Sequence, residues 1–423
     1  MESRIADPGL APSGHRKIAW VEQHMPALAR IEAELADDRR LHGVPVAICL
    51  HLEAKTARLA LALQRAGMQV AITGSNPLST QDDVAAALAE RGVSVHAWHG
   101  VTPEEHTANL DAVAAEAPAV VVDDGGDLTI HLHEHHADRL DAVLGVAEET
   151  TTGVVRLRAL ELDGRLQLPV VAVNDARAKH LFDNRYGTGQ SAWDGIMRTT
   201  NLTVAGKAVC VVGYGWCGKG VAARARGLGA RVIVCEVDPM AAVEALMEGF
   251  EVRPSLDAAG EADIFVTVTG VRDVLRREHF EVMRDGAVLA NAGHFDVEIS
   301  KPDLDGLAVE QEDARANVTT YRMTDGRRLH LLADGALVNL AGADGHPAEI
   351  MDLSFALQAL SVAGFVRGEL PTAPGVHAVP RAIDERVAAL HLEAHGVGLD
   401  RLTEAQRAYR ASWQVGWTPR SEA

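Results

Sequence analysis

The chain of 423 residues carries 40 Lys and Arg against 59 Asp and Glu, which gives a formal net charge of −19 at pH 7. So acidic a surface excludes nucleic acid and anionic membranes as expected partners, because both select basic surfaces. Four scattered cysteines without C-x-x-C spacing exclude a disulfide framework, and the sequence has no uninterrupted run of 18 apolar residues to span a membrane. Residues 1–13 lack the apolar core of a secretory signal, so we expect a soluble cytoplasmic protein.

The first third of the chain alternates between helical and strand-like apolar spacing. The predicted helices span residues 14–40, 54–66, 81–91 and 103–115. Compact apolar runs between them are typical of buried parallel strands. The predicted strands span residues 44–50, 69–73, 93–98 and 119–123. Strands that alternate with helices in this way predict a doubly wound parallel sheet.

The same alternation restarts near residue 190 and ends in a helical tail. The predicted strands of this part span residues 207–212, 231–236, 264–269 and 286–291. The predicted helices span residues 218–228, 240–247, 348–365, 381–395 and 403–413. We therefore predict an α/β protein of two doubly wound parallel-sheet lobes with a short helical C-terminal segment, and we place the boundaries near residues 190 and 345.

A glycine-rich turn in the second lobe has the dinucleotide-binding spacing G-x-G-x-x-G, read GYGWCG at 213–218. It follows a predicted strand and opens a helix, which is the context that makes this fingerprint credible. Gly213 allows the tight turn, Gly215 lets the backbone approach a pyrophosphate, and Gly218 permits close helix packing. Glu236, 18 residues after Gly218, would accept hydrogen bonds from a ribose diol and repel a 2′-phosphate. The motif therefore predicts NAD rather than NADP.

Polar clusters follow the strands of the first lobe, where ligands bind in open α/β sheets. Their members include His51, Glu53, residues 76–82, residues 123–127, residues 148–152, Asn174, Asp175, Lys179, Asp183 and Asn184. Any one of them could be a helix cap or part of a solvated loop. Carboxylates, a lysine and a histidine near one cleft are nevertheless suited to acid–base chemistry with mutually perturbed pKa values.

A histidine block, HLHEHH at 131–136, resembles a metal site at first sight. His131 and His135 have i,i+4 spacing, but the glutamate is not placed as in H-E-x-x-H. We therefore interpret the block as a solvated helical face and predict no metal.

Six ordered motifs together identify a family resemblance. They read DDGGDLT at 123–129, EETTTG at 148–153, FDNRYG at 182–187, GYGWCGKG at 213–220, GHFDVE at 293–298 and LVNLAGADGHP at 337–347. In this combination, and over nearly the whole chain, the sequence resembles the S-adenosylhomocysteine hydrolases. The resemblance implies a substrate-binding lobe over 1–189 and 345–390, an inserted Rossmann NAD lobe over 190–344, and an oligomerisation segment over 391–423. It also implies a homo-oligomer, either a tetramer or a dimer.

The activity implied by the resemblance is reversible hydrolysis of a nucleoside thioether of homocysteine with tightly bound NAD. NAD would oxidise the ribose 3′-hydroxyl, a base would remove the acidified C4′ proton, the 5′-thiol would leave, water would add, and the ketone would be reduced again. Lys179 and Asp183 would flank the 3′-hydroxyl, with Lys179 as the proton acceptor. A lysine accepts a proton well only if its pKa is lowered, by burial or by nearby charge.

Further roles follow from the same resemblance, position by position. His51 and Asp124 would transfer protons at C4′ and C5′, Glu149 would bind the ribose hydroxyls, and Asn184 would orient the nicotinamide side. His294 and Phe295 match a gate over the homocysteine channel, and His346 matches a position near the purine. The residues expected to hold NAD, beside the glycine turn, are Thr150, Thr151, Thr152, Glu236, Thr269 and Asn339.

The sequence departs from the better-known members at the purine edge. Where those read His-Met-Thr-x-Glu/Gln, this chain reads HLEAK at 51–55, as in a bacterial and archaeal branch of which some members prefer S-inosylhomocysteine. Lys55 offers only donors, which suits a 6-oxo group rather than a 6-amino group. Glu53 could pair with Lys55 or face a 6-amino group itself. Thr188 replaces a cysteine near the nicotinamide, and Ala241 replaces an asparagine near the NAD ribose.

The C-terminus and the reaction outcome leave open alternatives. The sequence ends in Trp417-Thr418-Pro419-Arg420 and three further residues, without the Lys and Tyr tail of longer members, so we expect weaker sealing of NAD. A dehydratase that uses the same oxidation, elimination and reduction on another nucleoside is the alternative enzyme. A regulatory NAD-sensing relative is the non-enzymatic alternative, and it predicts loss of proton-handling residues that this chain retains.

Overall fold

The computed structural model describes residues 3–413, and its first sheet has seven strands, all parallel to their neighbours. These strands are β1 (Pro45–Leu50), β2 (Gln69–Gly74), β3 (Ser94–His96), β4 (Val120–Asp123), β5 (Gly145–Glu148), β6 (Pro169–Ala172) and β15 (Gly375–Ala378). Their order is β15-β6-β5-β4-β1-β2-β3. The chain starts at β1, winds outward to β3 and then returns to the other side of β1, so the winding direction reverses between β1 and β4.

Helices cover both faces of this sheet because successive side chains of each strand point to opposite faces. The helices of the lobe are α1 (Ala11–Glu22), α2 (Pro26–Ala36), α3 (Ala54–Arg65), α4 (Asp82–Glu90), α5 (Pro103–Ala115), α6 (Asp127–His135), α7 (Thr151–Leu162), α16 (Ala348–Arg367) and α17 (Arg381–Ala394). Along β1, Val46 and Ile48 join the core with α1 to α4 and α16, whereas Ala47 and Cys49 join the core with α5 to α7.

Helix α16 is the central helix of the first lobe. Its length and apolar composition would suffice to cross a membrane, but most of it is buried inside the molecule, as is usual for core helices of globular proteins. The ring of Phe365 lies where a Cβ on Gly145 would stand, at 2.0 Å, so the glycine at the start of β5 allows the close approach. The helix therefore packs directly on the sheet.

The second sheet has eight strands, and its last part is antiparallel. These strands are β7 (Ala208–Val212), β8 (Arg231–Cys235), β9 (Glu251–Val252), β10 (Ile264–Thr267), β11 (Ala287–Asn291), β12 (Ala308–Arg315), β13 (Val318–Met323) and β14 (Arg328–Leu332). Their order is β12-β13-β14-β11-β10-β7-β8-β9. The winding direction reverses between β7 and β10, and β12 to β14 extend one edge as an antiparallel meander.

The remaining helices belong to the second lobe, to its connections and to the C-terminal region. They are α8 (Arg177–Lys179), α9 (Thr188–Thr200), α10 (Trp216–Gly227), α11 (Pro239–Met247), α12 (Ser255–Ala259), α13 (Arg277–Val282), α14 (Lys301–Leu307), α15 (Val338–Ala341) and α18 (Glu404–Ala411). Between α8 and α9, His180–Gly187 forms a wide helical segment of the π type, which we call the π segment. Such segments are rare and are frequent at functional sites.

Glycines allow the connection between the lobes to pack backbone against backbone. A Cβ on Gly220 of α10 would stand 1.7 Å from the carbonyl oxygen of Arg185, and one on Gly195 of α9 would stand 2.3 Å from that of Val338. Both contacts are closer than any side chain tolerates. The π segment, α9, α10 and α15 therefore form one tightly packed junction.

The predicted fold class is confirmed, with differences in single elements. The predicted helix over 14–40 is wrong, because it breaks into α1 and α2 at Pro26, which lacks a backbone donor and restricts Met25 before it. Strands β5, β6 and β15 were not predicted, since four-residue strands carry little periodicity. The predicted strand over 93–98 is shorter, at Ser94–His96. Residues 417–420 of the predicted tail lie outside the described residues.

Candidate active site

The polar residues predicted after the strands lie at the reversal point of the first sheet. His51 follows β1 and Asp124 follows β4, the two neighbouring strands between which the winding direction reverses. Crevices at the carboxyl ends of such strands are where open α/β sheets bind ligands. The equivalent point of the second sheet lies between β7 and β10, where Gly213 and Thr269 follow the strands.

His51, Asp124 and His294 form one contiguous group at this crevice. The Nε2 atom of His51 lies 3.3 Å from Oδ2 of Asp124, and Nδ1 of His294 lies 3.6 Å from Oδ1. The hydroxyl of Ser79 contacts Nδ1 of His51 at 2.7 Å, and that of Ser75 donates to Asp124 at 3.1 Å. The donor atoms of the three residues lie within 4.8 Å of one another, so the group could also chelate a divalent cation.

Burial sets the protonation of this group. It lowers the pKa of His51 to about 4, although Asp124 opposes the shift and His294 adds to it. The pKa of Asp124 is also lowered, because His51, His294 and Lys179 outweigh the effect of its burial. At neutral pH the group therefore pairs a neutral imidazole with a carboxylate, which is the state in which His51 can accept a proton.

Lys179 lies at the centre of a second buried cluster. Its Nζ is 2.8 Å from Oδ1 of Asp183 and 3.0 Å from Oε1 of Glu149, and it donates to Oδ1 of Asn184 at 3.2 Å. The Nδ1 atom of His346 lies 3.0 Å from Oδ1 of Asp183. The wider turn of the π segment brings Asp183 and Asn184, four and five residues after Lys179, to the same side.

The condition for proton acceptance by Lys179, a lowered pKa, is not met in this arrangement. Burial does lower it, but the nearby charges of Asp183 and Glu149 outweigh burial, and the pKa of Lys179 is raised above its ordinary value. Conversely, Lys179 and His346 hold the pKa of Asp183 below its ordinary value against the effect of burial. Burial raises the pKa of Glu149, with Lys179 opposing that shift. Lys179 is therefore an ammonium group between two carboxylates.

Helix α16 supplies two residues to this cluster that the sequence did not suggest. Ser354 donates to Oδ2 of Asp183 at 2.6 Å, and Gln358 donates to Oε2 of Glu149 at 2.5 Å. Both side chains are fully buried. Buried polar residues normally serve a partner, so two of them at i,i+4 spacing in an apolar helix were the available signal.

A buried carboxyl pair supports the loops below the cleft. Glu148 accepts from the backbone N–H groups of Gly125 and Thr150, and Asp123 accepts from that of Thr129 at 2.7 Å. Burial raises the pKa of Asp123 to about 6 and raises that of Glu148 further above its ordinary value. These two acids therefore hold the loops that carry Asp124 and Glu149 in place.

The purine-edge motif folds back on itself. Nζ of Lys55 lies 2.7 Å from Oε2 of Glu53 and donates to the carbonyl of Asp344 at 2.7 Å. The same carboxylate accepts from the backbone N–H groups of Lys55 and Thr56, so it caps helix α3. Of the two alternatives for Glu53, the structure has the pairing with Lys55.

The residues of the predicted gate lie directly over the first cluster. A Cβ on Gly125 would stand 2.7 Å from Nε2 of His294, so the imidazole rests on the backbone after Asp124. The ring of Phe295 packs edge-on against the ring of His294. The guanidinium of Arg156 lies 5.8 Å from the centre of the Phe295 ring. His346 contacts Thr188 at 3.2 Å as well as Asp183, so it joins the Lys179 cluster to the start of helix α9.

The glycine turn of the second lobe has the geometry that a pyrophosphate needs. Gly213 has a φ of 106°, and a Cβ there would stand 2.8 Å from the carbonyl oxygen of Val268. A Cβ on Gly218 would stand 2.0 Å from the carbonyl oxygen of Gly213. A Cβ on Gly215 would have no described protein atom within 4 Å, so protein packing does not explain this glycine. A glycine there leaves the start of α10 open to close approach by a bound group.

Two of the other predicted NAD residues, Glu236 and Thr269, lie beside the same turn. Glu236 accepts from the backbone N–H groups of Tyr214 and Val237, each at 2.6 Å, which fixes its carboxylate at the end of β8. Thr269 donates to Glu298 at 2.9 Å. Asn339 is buried, and its Oδ1 has no hydrogen-bond partner among the described residues, so it is free to accept from a bound group. These observations fit NAD.

Two of the three threonines at the start of α7 contact the loops at the cleft of the first lobe. Thr150 caps the helix by accepting from the N–H of Gly153 and donates to Glu148 at 3.0 Å. Thr151 donates to Asn174 at 3.2 Å, and Thr152 follows within the first turn. Nδ2 of Asn184 donates to the same oxygen of Asn174, so the threonine turn and the π segment are joined.

Comparison with known protein families gives one match in each of the two lobes. A family model described as S-adenosyl-L-homocysteine hydrolase, NAD binding domain, matches residues 184–345, and one described as S-adenosyl-L-homocysteine hydrolase matches residues 2–143. The S-inosyl-L-homocysteine hydrolase of Methanopyrus kandleri is 55% identical over 416 residues, 98% of each chain.

Two further relatives carry another name. The adenosylhomocysteinase of Thermococcus kodakarensis is 54% identical over 412 residues, 97% of this chain and 98% of the relative. The adenosylhomocysteinase of Thermotoga maritima is 54% identical over 402 residues, 95% of this chain and 100% of the relative. On this evidence the chain belongs to the S-adenosyl-L-homocysteine hydrolase family, and its second lobe is the family's NAD-binding domain.

Proposed function

We propose that the protein catalyses the NAD-dependent, reversible hydrolysis of an S-nucleosylhomocysteine, adenosyl or inosyl, to the nucleoside and homocysteine. The observation that carries this proposal is the pair of buried proton-handling clusters at one crevice, Lys179 with Asp183 and Glu149, and His51 with Asp124. The reaction moves one proton at the 3′-hydroxyl oxygen and others at C4′ and C5′, and two such groups can divide this work. Family membership supports the same reaction.

NAD, when bound, supplies the acceptor for the hydride of the ribose 3′ carbon and returns it at the end of the cycle. In this chain Gly213, Gly215, Glu236, Thr269 and Asn339 would hold it. The carboxylate of Glu236, already fixed by backbone donors, leaves lone pairs for a ribose diol and would repel a 2′-phosphate. NAD is therefore favoured over NADP.

Lys179 would act on the proton of the 3′-hydroxyl. As an ammonium group it binds and orients that oxygen, and Glu149 beside it binds the neighbouring hydroxyl. The pKa of Lys179 would be lowered by the positive charge of oxidised NAD, when bound, because that charge opposes the raising effect of Asp183 and Glu149. Lys179 then accepts the hydroxyl proton as a neutral amine. Asn184 is hydrogen-bonded to both Lys179 and Asn174, and so it keeps the side chains of the cluster in place.

His51 and Asp124 would handle the protons at C4′ and C5′. His51 is neutral at physiological pH and is oriented by the Ser79 hydroxyl, so it can take up a proton. Asp124 is ionised and stabilises the imidazolium that results. His294 and Phe295, which lie over this group, would exclude water until the homocysteine thiol has left.

The direct test of the reaction is thiol release. The purified protein, with its NAD content measured, is incubated with S-adenosylhomocysteine and with S-inosylhomocysteine, and the free thiol is titrated. We expect thiol from at least one of the two. Reduction of bound NAD without any thiol would contradict hydrolysis and favour a partial cycle that ends in elimination.

We further propose a preference for the inosyl substrate. Glu53 is occupied by Lys55 and by the helix N–H groups, so no free acceptor faces a 6-amino group from this motif, whereas Lys55 keeps a third N–H for a 6-oxo group. Lys55→Gln, whose amide also offers an acceptor, is expected to lower the inosyl-to-adenosyl ratio of kcat/KM by roughly tenfold. An unchanged ratio would remove Lys55 from base selection.

We propose that the protein works as a homo-oligomer, a tetramer or a dimer, in the cytoplasm. The exposed face of α11 is apolar, with Met240 75% and Met247 84% exposed, which is typical of surfaces that another subunit covers. The four cysteines are free thiols, which fits a reducing compartment. Light scattering should give a multiple of 45.1 kDa, and the mass of one chain would contradict the oligomer.

A further inference from the structure

Part of the histidine block at 131–136 is not a solvated face, contrary to the prediction from its sequence. His131 is buried, with 7% of its side chain exposed, and its Nε2 lies 2.7 Å from Oδ1 of Asp111 on the neighbouring helix α5. Nε2 of His136 lies 3.0 Å from the same oxygen. The atoms of the three residues that could coordinate a metal ion lie within 4.8 Å of one another.

The end of α6 brings these histidines together in an unexpected pairing. In a continuous helix, residues five apart point about 140° away from each other. His136 caps α6 with φ −134° and ψ 38°, outside the helical region, and this turn brings its ring back beside that of His131. The ring of His135, at the i,i+4 position, lies beside that of His131 at a tilt of 46°, but His135 is not part of the group of three.

We propose that Asp111, His131 and His136 form a binding site for a divalent cation of the Zn²⁺ class. Two imidazole nitrogens and a carboxylate oxygen are ligands that Zn²⁺ prefers, and water would complete a tetrahedron. Two ligands bound tetrahedrally at about 2.0–2.1 Å stand about 3.3 Å apart. The observed 2.7 and 3.0 Å therefore need to open by a few tenths of an ångström. The half-exposed Asp111 side chain has room to make this movement.

The site is separate from the proposed reaction. Helix α6 begins at Asp127, directly after the loop that carries Asp124, and its nine residues extend about 13 Å. His136 lies at the far end of that helix, and Asp111 belongs to α5. A bound cation would therefore tie the end of α6 to α5 and stabilise the first lobe without touching the cleft.

The test compares Zn²⁺ binding by chelator-treated holoenzyme with that of three variants, using calorimetric titration and metal analysis. His136→Asn and Asp111→Asn should each bind one Zn²⁺ fewer per chain than the wild type and lose the Zn²⁺-dependent rise in Tm. His135→Asn, on the same helix but outside the three ligands, is the matched control and should retain both.

Unchanged Zn²⁺ stoichiometry in His136→Asn and Asp111→Asn would overturn the proposal, as would equal loss in His135→Asn. Cation binding by His51, Asp124 and His294 in the cleft would survive all three substitutions, so it cannot be mistaken for this site. Thiol release, where the protein shows it, should be the same in every variant, since none of these residues belongs to the proposed catalytic groups.

Discussion

Lys179 is a buried cation whose protonation is decided by two carboxylates within 3.0 Å. The sequence places these residue types near one cleft, but it does not show which effect on the lysine is larger. Burial and ion pairing shift a lysine pKa in opposite directions, and the outcome depends on distances that spacing does not contain. Here the carboxylates prevail, and the amine is protonated before a ligand enters.

This state predicts a pH dependence for the oxidation half-reaction. Only the neutral amine accepts a proton, and its fraction rises up to about tenfold per pH unit below the pKa. Because the pKa of Lys179 is raised, the rate of NAD reduction on mixing with nucleoside should rise between about pH 7 and 9. Rapid-mixing absorbance of the reduced nicotinamide measures this rate, and a flat profile would show that the lysine is already neutral.

The lowered pKa of His51 predicts a contribution to stability. In the unfolded chain an imidazole takes up a proton near pH 6.5, whereas His51 in the folded protein does so near pH 4. The unfolded state binds more protons in this window, so the folded state loses stability as the pH falls from about 6.5 to 4. Replacement by asparagine should remove this part of the loss.

The measurement is the difference in free energy of unfolding between wild type and His51→Asn at several pH values. The difference should change between pH 6.5 and the lowest pH at which both proteins fold reversibly. His15→Asn is the control, because His15 is a partly exposed residue outside the cleft, where it pairs with Glu90. A constant difference across the window would mean that His51 titrates normally.

At the scale of elements, helix α16 positions the carboxylates of the Lys179 cluster, which belong to other segments of the chain. A helix was predicted over 348–365, and the structure has it at Ala348–Arg367, buried along most of its length. Its buried serines and glutamine carry the information about the site, but only the sheet topology shows that they face Asp183 and Glu149. Long-range contacts of this kind, 171 residues apart for Ser354 and Asp183, leave no trace in local spacing.

Ser354→Ala tests this positioning role. The substitution leaves the buried Asp183 carboxylate with one donor fewer, which raises its pKa, lowers stability by about 1–3 kcal/mol and reduces thiol release by roughly tenfold. The pH profile of NAD reduction should shift together with the rate. A merely structural role would lower stability and leave the profile in place.

Ser361→Ala is the matched control on the same helix. Ser361 is also fully buried, but its hydroxyl finds no hydrogen-bond partner within residues 3–413. Its removal should therefore be close to neutral in both stability and activity. Equal effects of the two substitutions would contradict the specific role of Ser354.

The wide π segment marks the limit of prediction from sequence. Motif order and strand–helix alternation predicted the parallel sheets and the glycine turn, because both depend on local spacing and backbone sterics. The π segment, the antiparallel meander of β12 to β14 and the short strands β5, β6 and β15 were not predicted. The parallel pairing of the short strands involves distant parts of the chain, whereas the meander pairs strands that follow one another in sequence and was missed because its spacing was not recognised.

At the scale of the whole molecule, two sheets meet through one glycine-lined junction. The reversal points of both sheets supply residues of the candidate site, Asp124 from the first and Thr269 from the second. The junction of α9, α10 and the π segment sets the distance between these points. Its packing is closer than side chains allow, so single methyl groups should disturb it.

Gly220→Ala should lower Tm by several degrees, because its Cβ would stand 1.7 Å from the Arg185 carbonyl oxygen and force α10 away from the π segment. Gly227→Ala on the same helix is the control. Its Cβ would meet no described atom within 4 Å, and alanine is the better helix former there. Equal Tm values for the two variants would contradict the tight junction.

Substitution of Lys179 separates the handling of the 3′-hydroxyl proton, proposed for this residue, from the binding of NAD by the second lobe. Lys179→Met keeps the length of the side chain and removes its charge, and Lys17→Met, on the surface beside Asp83, is the control. After purification, NAD content and its reduction by nucleoside are measured by absorbance. We predict that Lys179→Met retains bound NAD but loses the reduction, whereas Lys17→Met retains both. Undiminished NAD reduction in Lys179→Met would contradict the account.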